Sequence, residues 1–190
     1  MKMTIFNTPV IKTAAHWLAR LILKILGWKM QGELPYVKKY VMIAVPHTSN
    51  WDFFYGLLMI LYFKNEVYWM GKKQIFRFPF GGIMKWFGGI PVDRSRSNNL
   101  VQSTIDEFNR RDSLIVVIPP EGSRSKVDSW RTGFYYIASG AGVPILPGFL
   151  DYKKKLAGYG PLIYLSGDME EDMLRIKEFY KGIIGKFEDK

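Results

Sequence analysis

His47 and Asp52 bracket the turn in VPHTSNWDFF, residues 45–54 of a chain with only two histidines. The run before them, KYVMIAV, has the continuous apolar and β-branched character of a buried strand. The run after them, WDFFYGLLMILYF, is apolar all round and long enough for a buried helix. His47 therefore falls at the C-terminal end of a strand, where open α/β sheets place ligands. Asp52 falls in the first helical turn, within reach of one imidazole nitrogen. Such a carboxylate fixes the tautomer and stabilises the imidazolium formed when the other nitrogen takes a proton. The pair is a general base with its orienter. The same spacing also suits an acid that complements the helix dipole beside an ordinary strand-end histidine.

Two further stretches hold groups suited to an anion. In GGIPVDRS (88–95) a pair of glycines permits close approach, and Arg94 projects from a strand end. A guanidinium grips phosphate through two hydrogen bonds, although a charged loop after an edge strand would read the same. In IPPEGSRS (118–125) two prolines end a strong strand and Gly122 permits a tight turn. The N–H groups of Gly122, Ser123 and Arg124 would then line a concavity, with Glu121 to orient an arginine or accept from a hydroxyl. That stretch also reads as a turn entering a helix. A fourth, GVPILPGF (142–149), offers shape rather than reactive groups.

Other chemistries lack their residues. There is no G-x-S-x-G, no complete phosphate-binding loop, no G-x-G-x-x-G and no H-E-x-x-H. The absence of cysteine removes thiol nucleophiles, thiolate metal sites and disulfides. No metal site is expected.

The elements that carry these groups alternate. Strands are expected at 39–45, 66–70, 90–92, 113–118, 143–150 and 161–165. Helices are expected at 51–63, 97–111, 133–139 and 169–184, with Ser97 as an N-cap and Glu171 paired to Arg175. Residues 79–89 are glycine-rich and read as irregular or a short helix. The alternation predicts a single α/β domain whose mostly parallel sheet is flanked by helices.

The N-terminus is apolar but interrupted. In VIKTAAHWLARLILKILGW (10–28), Lys12, Arg20 and Lys24 break any spanning segment, and no signal peptide is recognisable. Lys12, His16, Arg20 and Lys24 recur every fourth residue as one basic stripe. Residues 1–27 are thus expected to form an amphipathic helix, preceding a domain over 28–190. It lies in a membrane interface or packs on the protein's own core. The net charge of +10 favours a polyanionic partner: nucleic acid, an anionic membrane, or phosphorylated and CoA-like ligands.

Taken together and in order, the four stretches resemble the glycerolipid acyltransferases, the lysophospholipid acyltransferase superfamily. Its H-x-x-x-x-D motif is matched by His47 and Asp52, with Ser49 at a frequent serine position. Its second motif resembles GGIPVDR, its third, P-E-G-[ST]-R-S, is matched by Pro120 to Ser125, and its fourth resembles VPILP. The resemblance implies transfer of a fatty acyl group from acyl-CoA or acyl carrier protein to a lysolipid hydroxyl. An alcohol needs the His47 base, whereas a thioester is already activated and needs no enzyme nucleophile. By the resemblance, Arg94, Glu121, Gly122, Ser123 and Arg124 hold a phosphorylated acceptor, with Ser49 and Lys72 as further binding candidates. The stretch KKQIFRFPFGGIMKWF (72–87) would face lipid or line the acyl path. No cofactor beyond the acyl donor is implied. The expected setting is peripheral, on the anionic cytoplasmic face of a membrane, without a spanning helix and without nucleic acid. The alternative is a non-catalytic basic module that binds anionic lipid or nucleic acid.

Overall fold

The computed structural model describes residues 3–92, 97–122 and 129–187, the side chains of Lys72, Val92 and residues 97–99 apart. Within them, seven strands form one sheet: β1 (Lys29–Gln31), β2 (Lys39–Val45), β3 (Tyr68–Lys72), β4 (Gly89–Val92), β5 (Leu114–Ile118), β6 (Ile145–Asp151) and β7 (Leu156–Tyr159). Their order is β1-β7-β6-β2-β5-β3-β4, parallel throughout except between β6 and β7. The helices are α1 (Pro9–Ile25), α2 (Trp51–Tyr62), α3 (Gly81–Trp86), α4 (Ser97–Arg110), α5 (Gly133–Ala141) and α6 (Met169–Phe179). A 3₁₀ turn, Lys73–Phe76, links β3 to α3. The expected α/β architecture is what is observed.

Side-chain alternation explains why β2 carries no polar position between Val41 and Val45. Val41, Ile43 and Val45 point into one apolar cluster with Phe108 of α4, Phe134 of α5 and Ile176 of α6. Tyr40 and Met42 point into the other, with Leu58 of α2 and Leu23 of α1. A strand covered on both faces reads as a continuous apolar run.

Several expected details differ. Residues 161–165 are not a strand; Ile163 makes only an isolated antiparallel bridge to Ile145. β1 and β7 were not foreseen, being three and four residues of KMQ and LAGY. The last helix ends at Phe179, and Gly182 three residues on has φ +77°. Arg175 pairs with Asp172 at 3.3 Å rather than with Glu171. Asp172 is fully buried and accepts from Tyr135 Oη and Ser166 N–H, which fixes the position of the oxygens that the arginine meets. The Gly88–Gly89 pair serves the chain's own packing: Gly88 has φ +79°, and a Cβ there would come within 2.5 Å of the Val67 carbonyl.

α1 corrects the basic stripe. His16 is buried with Ala19 and Leu23 against α2, and its Nδ1 donates to the Leu61 carbonyl at 3.3 Å. The outward face instead carries Val10, Trp17, Leu18, Leu21 and Ile25, all exposed, beside Arg20 and Lys24. The helix is apolar on two sides. Residues 4–6 tuck into the core ahead of it, with Ile5 N–H donating to the Trp86 carbonyl. No helix described is long and apolar enough to cross a membrane.

Candidate active site

Because β2, β3, β4, β5 and β6 are mutually parallel, their C-terminal ends share one edge of the sheet. His47 follows β2, Glu121 and Gly122 follow β5, and Tyr152 follows β6 there. Lys72 is the last residue of β3. The chain leaves β2 for β3 and β4 on one side and later returns to its other side as β6, so the crevice lies where ligands are expected.

The two residues that opened the sequence analysis meet. His47 Nδ1 lies 3.4 Å from Asp52 Oδ2. The same oxygen accepts from the N–H groups of Thr48 and Ser49, each at 2.7 Å, so the loop wraps the carboxylate. Oδ1 accepts from Tyr152 Oη at 2.7 Å. Burial alone would raise the Asp52 carboxyl; the bonds from His47, Tyr152, Ser49 and Thr48 outweigh it and hold the group below the ordinary carboxylate value. Burial and the bond to Asp52 push the Tyr152 phenol well above its ordinary value, which keeps it a donor. With Nδ1 turned to Asp52, Nε2 is the nitrogen left for a substrate proton.

Glu121 reaches the loop from the next strand: its Oε2 accepts from His47 N–H at 2.6 Å. Burial raises its carboxyl, the His47 N–H and charge oppose that, and the Asp52 charge adds to it. Ser49 Oγ accepts at 3.0 Å from the N–H of Trp51, the first residue of α2. Gly122 has φ +66°, and its N–H donates to the Pro119 carbonyl at 3.2 Å. That N–H closes a turn with Pro119. The segments holding Arg94, Ser123 and Arg124 lie outside the described residues, as does the side chain of Lys72.

Beside the pair opens a pocket of about 370 Å³ between α2 and the sheet. Phe53, Gly56 and Ile60 of α2, Met42 of β2 and Trp69 of β3 line it, with His47 and Asp52 at one end. Ligand cavities commonly fall between roughly 300 and 1,000 Å³. Within 72–87, Phe87 lines this pocket, whereas Ile75, Phe78, Phe80 and Ile83 are exposed.

Three features had no signal in the sequence. Tyr152 is 100 positions from Asp52 and sits among lysines that read as a surface turn. Arg131 lies against Gly122, where a Cβ would come within 2.7 Å of its Nε. The segment after α6 crosses the histidine loop: Ile184 accepts from Tyr152 N–H at 2.9 Å, and Lys186 N–H donates to Thr48 Oγ1 at 3.1 Å. Lys186 Nζ then stands 4.4 Å from the Trp51 ring centre. Among the described residues no cluster of His, Cys, Asp or Glu is arranged to hold a metal ion.

A parallel α/β sheet with a histidine–carboxylate pair at the end of an apolar pocket defines a class to which the glycerolipid acyltransferases belong. Residues 29–150 match the family model described as Acyltransferase, and the chain belongs to that family. It is 30% identical over 151 residues to the 1-acyl-sn-glycerol-3-phosphate acyltransferase of Haemophilus influenzae, covering 74% of this chain and 61% of that protein. The protein of that name in Escherichia coli is 26% identical, with 74% and 60% covered. The chain thus spans about three fifths of the length of these relatives. Among solved structures, the 1-acyl-sn-glycerophosphate (LPA) acyltransferase PlsC from Thermotoga maritima shares the fold, with a TM-score of 0.65. The match covers 91% of this chain and 78% of that one at 17% identity.

Proposed function

We propose that the protein is an O-acyltransferase that moves a fatty acyl group from a thioester, acyl-CoA or acyl carrier protein, to the free hydroxyl of a lysophosphatidate-type acceptor. The observation that carries this is the His47–Asp52 pair at the end of the apolar pocket. The acceptor class follows the names of the curated relatives. Nε2 of His47 takes the hydroxyl proton as the oxygen attacks the thioester carbonyl. The C–S bond then breaks, the ester forms, and the imidazolium returns the proton to the leaving thiolate. Asp52 stabilises the imidazolium, and Tyr152 holds Asp52. Alignment of two bound substrates supplies much of the rate, so no covalent enzyme intermediate is needed.

In this reading Glu121, Gly122, Ser123, Arg124, Arg94 and Lys72 bind the phosphorylated acceptor, and Arg131 beside Gly122 joins them. The pocket receives the acyl chain. The enzyme works as a peripheral protein on the cytoplasmic face of a membrane, with the outer side of α1 and the exposed aromatics of 72–87 against the lipid. Incubation with a panel of acyl-CoA and acyl carrier protein thioesters and lysolipids, with products read by mass spectrometry, tests the reading. A new diacyl phospholipid that His47→Ala fails to form supports it. Thioester hydrolysis alone, or product formation undiminished in His47→Ala, rejects it.

A further inference from the structure

We infer that the groove between α1 and the end of α2 is a second, non-catalytic site, which takes the phosphate headgroup of an anionic membrane phospholipid. This rests on the reading that α1 docks the protein on a membrane. The groove measures about 690 Å³ and is lined by Trp17, Arg20, Lys24, Trp28, Lys29 and Tyr62, among others. It opens at Tyr62, ten residues along α2 from Asp52 and hence about 15 Å from the histidine site. No acidic side chain lines it.

Among the described residues Arg20, Lys24 and Lys29 form no ion pair. A cation near a helix C-terminus commonly serves the last carbonyls. Here those carbonyls are already taken: Ile22, Leu23 and Lys24 accept from the N–H groups of Leu26, Trp28 and Gly27, and Leu26 accepts from Lys155 Nζ at 3.1 Å. The Arg20 guanidinium sits 5.2 Å from the Trp17 ring centre and 5.4 Å from that of Tyr62. Contact with ring faces positions the group and leaves its N–H donors for an anion.

Trp17 and Leu21 line the groove and also belong to the exposed apolar stripe of α1, at 61% and 55% exposure. A phosphate bound between the cations would place its diacylglycerol beside these two side chains. The acyl tails would then run in the layer that receives Leu18 and Ile25. Charge complementarity on one side and apolar continuity on the other select a phospholipid over a free anion.

The experiment measures co-sedimentation of the full chain with phosphatidylcholine vesicles containing increasing phosphatidylglycerol. Three proteins are compared with the parent: Arg20→Gln/Lys24→Gln/Lys29→Gln, a charge-matched Lys38→Gln/Lys153→Gln/Lys177→Gln, and Arg20→Lys. Thermal unfolding checks each fold. Removing three cations that touch lipid should weaken partitioning about a hundredfold. The charge-matched protein should lose less than a tenth of that effect, and Arg20→Lys, which keeps the charge but not the fork, several-fold. Equal losses in the two triple variants would overturn the inference while the docking reading stands, because diffuse charge would then account for binding. No binding of the parent to any vesicle would remove the docking reading itself. If the groove triple fails to fold, Arg20→Lys decides alone: parental partitioning overturns the site. Displacement of the parent from vesicles by millimolar inorganic phosphate, as effective as by phosphatidylglycerol, would also overturn it in favour of a free-phosphate site.

Discussion

His47 works, in the proposed reaction, through one nitrogen, and everything around it fixes which one. His47→Ala should cost about 10²–10⁴-fold in turnover, the usual size of a general-base contribution. Its thermal unfolding should stay near parental, because the ring is over a quarter exposed. Tyr152→Phe tests the third member. Loss of a hydrogen bond to a charged group costs up to about 1.5–3 kcal/mol, so kcat should fall about tenfold or more. The KM for acceptor should barely move, since the phenol's hydrogen is given to Asp52. A parallel rise in KM, or an unchanged kcat, would remove Tyr152 from the mechanism. Asp52 also links the site to pH. Its folded value lies below the ordinary 3.8, so its ionised form favours the fold. That stabilisation is complete above 3.8 and disappears as pH falls through the depressed value. The stability difference between parent and Asp52→Asn should therefore narrow on acidification below about 4. Glu121, raised by burial, acts in the opposite sense, so the comparison belongs in a Glu121→Gln background. A difference that stays constant down the acid limb would contradict the assignment.

At the scale of elements, long apolar strands and the turn between β2 and α2 were legible because their cause is local. β2, β5 and β6 announce themselves by burial on both faces, and His47 and Asp52 meet because a strand end and a helix start bring them there. β1 and β7 lack any apolar run: their pairing is set by neighbours far along the chain. α1 misled for a geometric reason. Residues four apart drift about 40° per step on a helix, so Lys12, His16, Arg20 and Lys24 sweep about 120° rather than sharing a line. His16 consequently turns inward and bonds Leu61, while Trp17, Leu21 and Ile25 face out. Exchanging Trp17 and Leu21 for glutamine should therefore weaken vesicle binding at least tenfold with little change in thermal stability. Each lost apolar contact with lipid is worth about 25 cal/mol per Å². A large fall in unfolding temperature would show that these side chains pack inside the protein.

Across the whole molecule, the histidine loop is held by residues spread from Glu121 to Lys186, and this breadth explains what could not be read in advance. Nothing in FLDYKKK or KGIIGKFE marks Tyr152 or Lys186 as neighbours of Thr48 and Asp52. Only the sheet order, with β2 between β5 and β6, brings them there. Gly185 offers a direct test of that long-range hold. A Cβ at this position would come within 2.7 Å of Thr48 Cγ2 and 2.8 Å of its Oγ1. Gly185→Ala should lower kcat several-fold while leaving vesicle partitioning parental, as read by parallel rate and sedimentation assays. Unaltered kcat would mean that the segment after α6 lies on the loop without constraining it.

The tie between Thr48 and Lys186 spans 138 positions, and a ribosome makes the two ends in that order. β2, α2 and the pocket's helix wall emerge early, while the residues that fasten Thr48 and Tyr152 emerge late. The pocket's wall therefore stays incomplete until Phe149 and Leu150 of β6 have been made, and the base is fully braced only after residues 184–186. On the proposed reading, the docking helix α1 is made before any residue that braces the base, so docking would precede turnover.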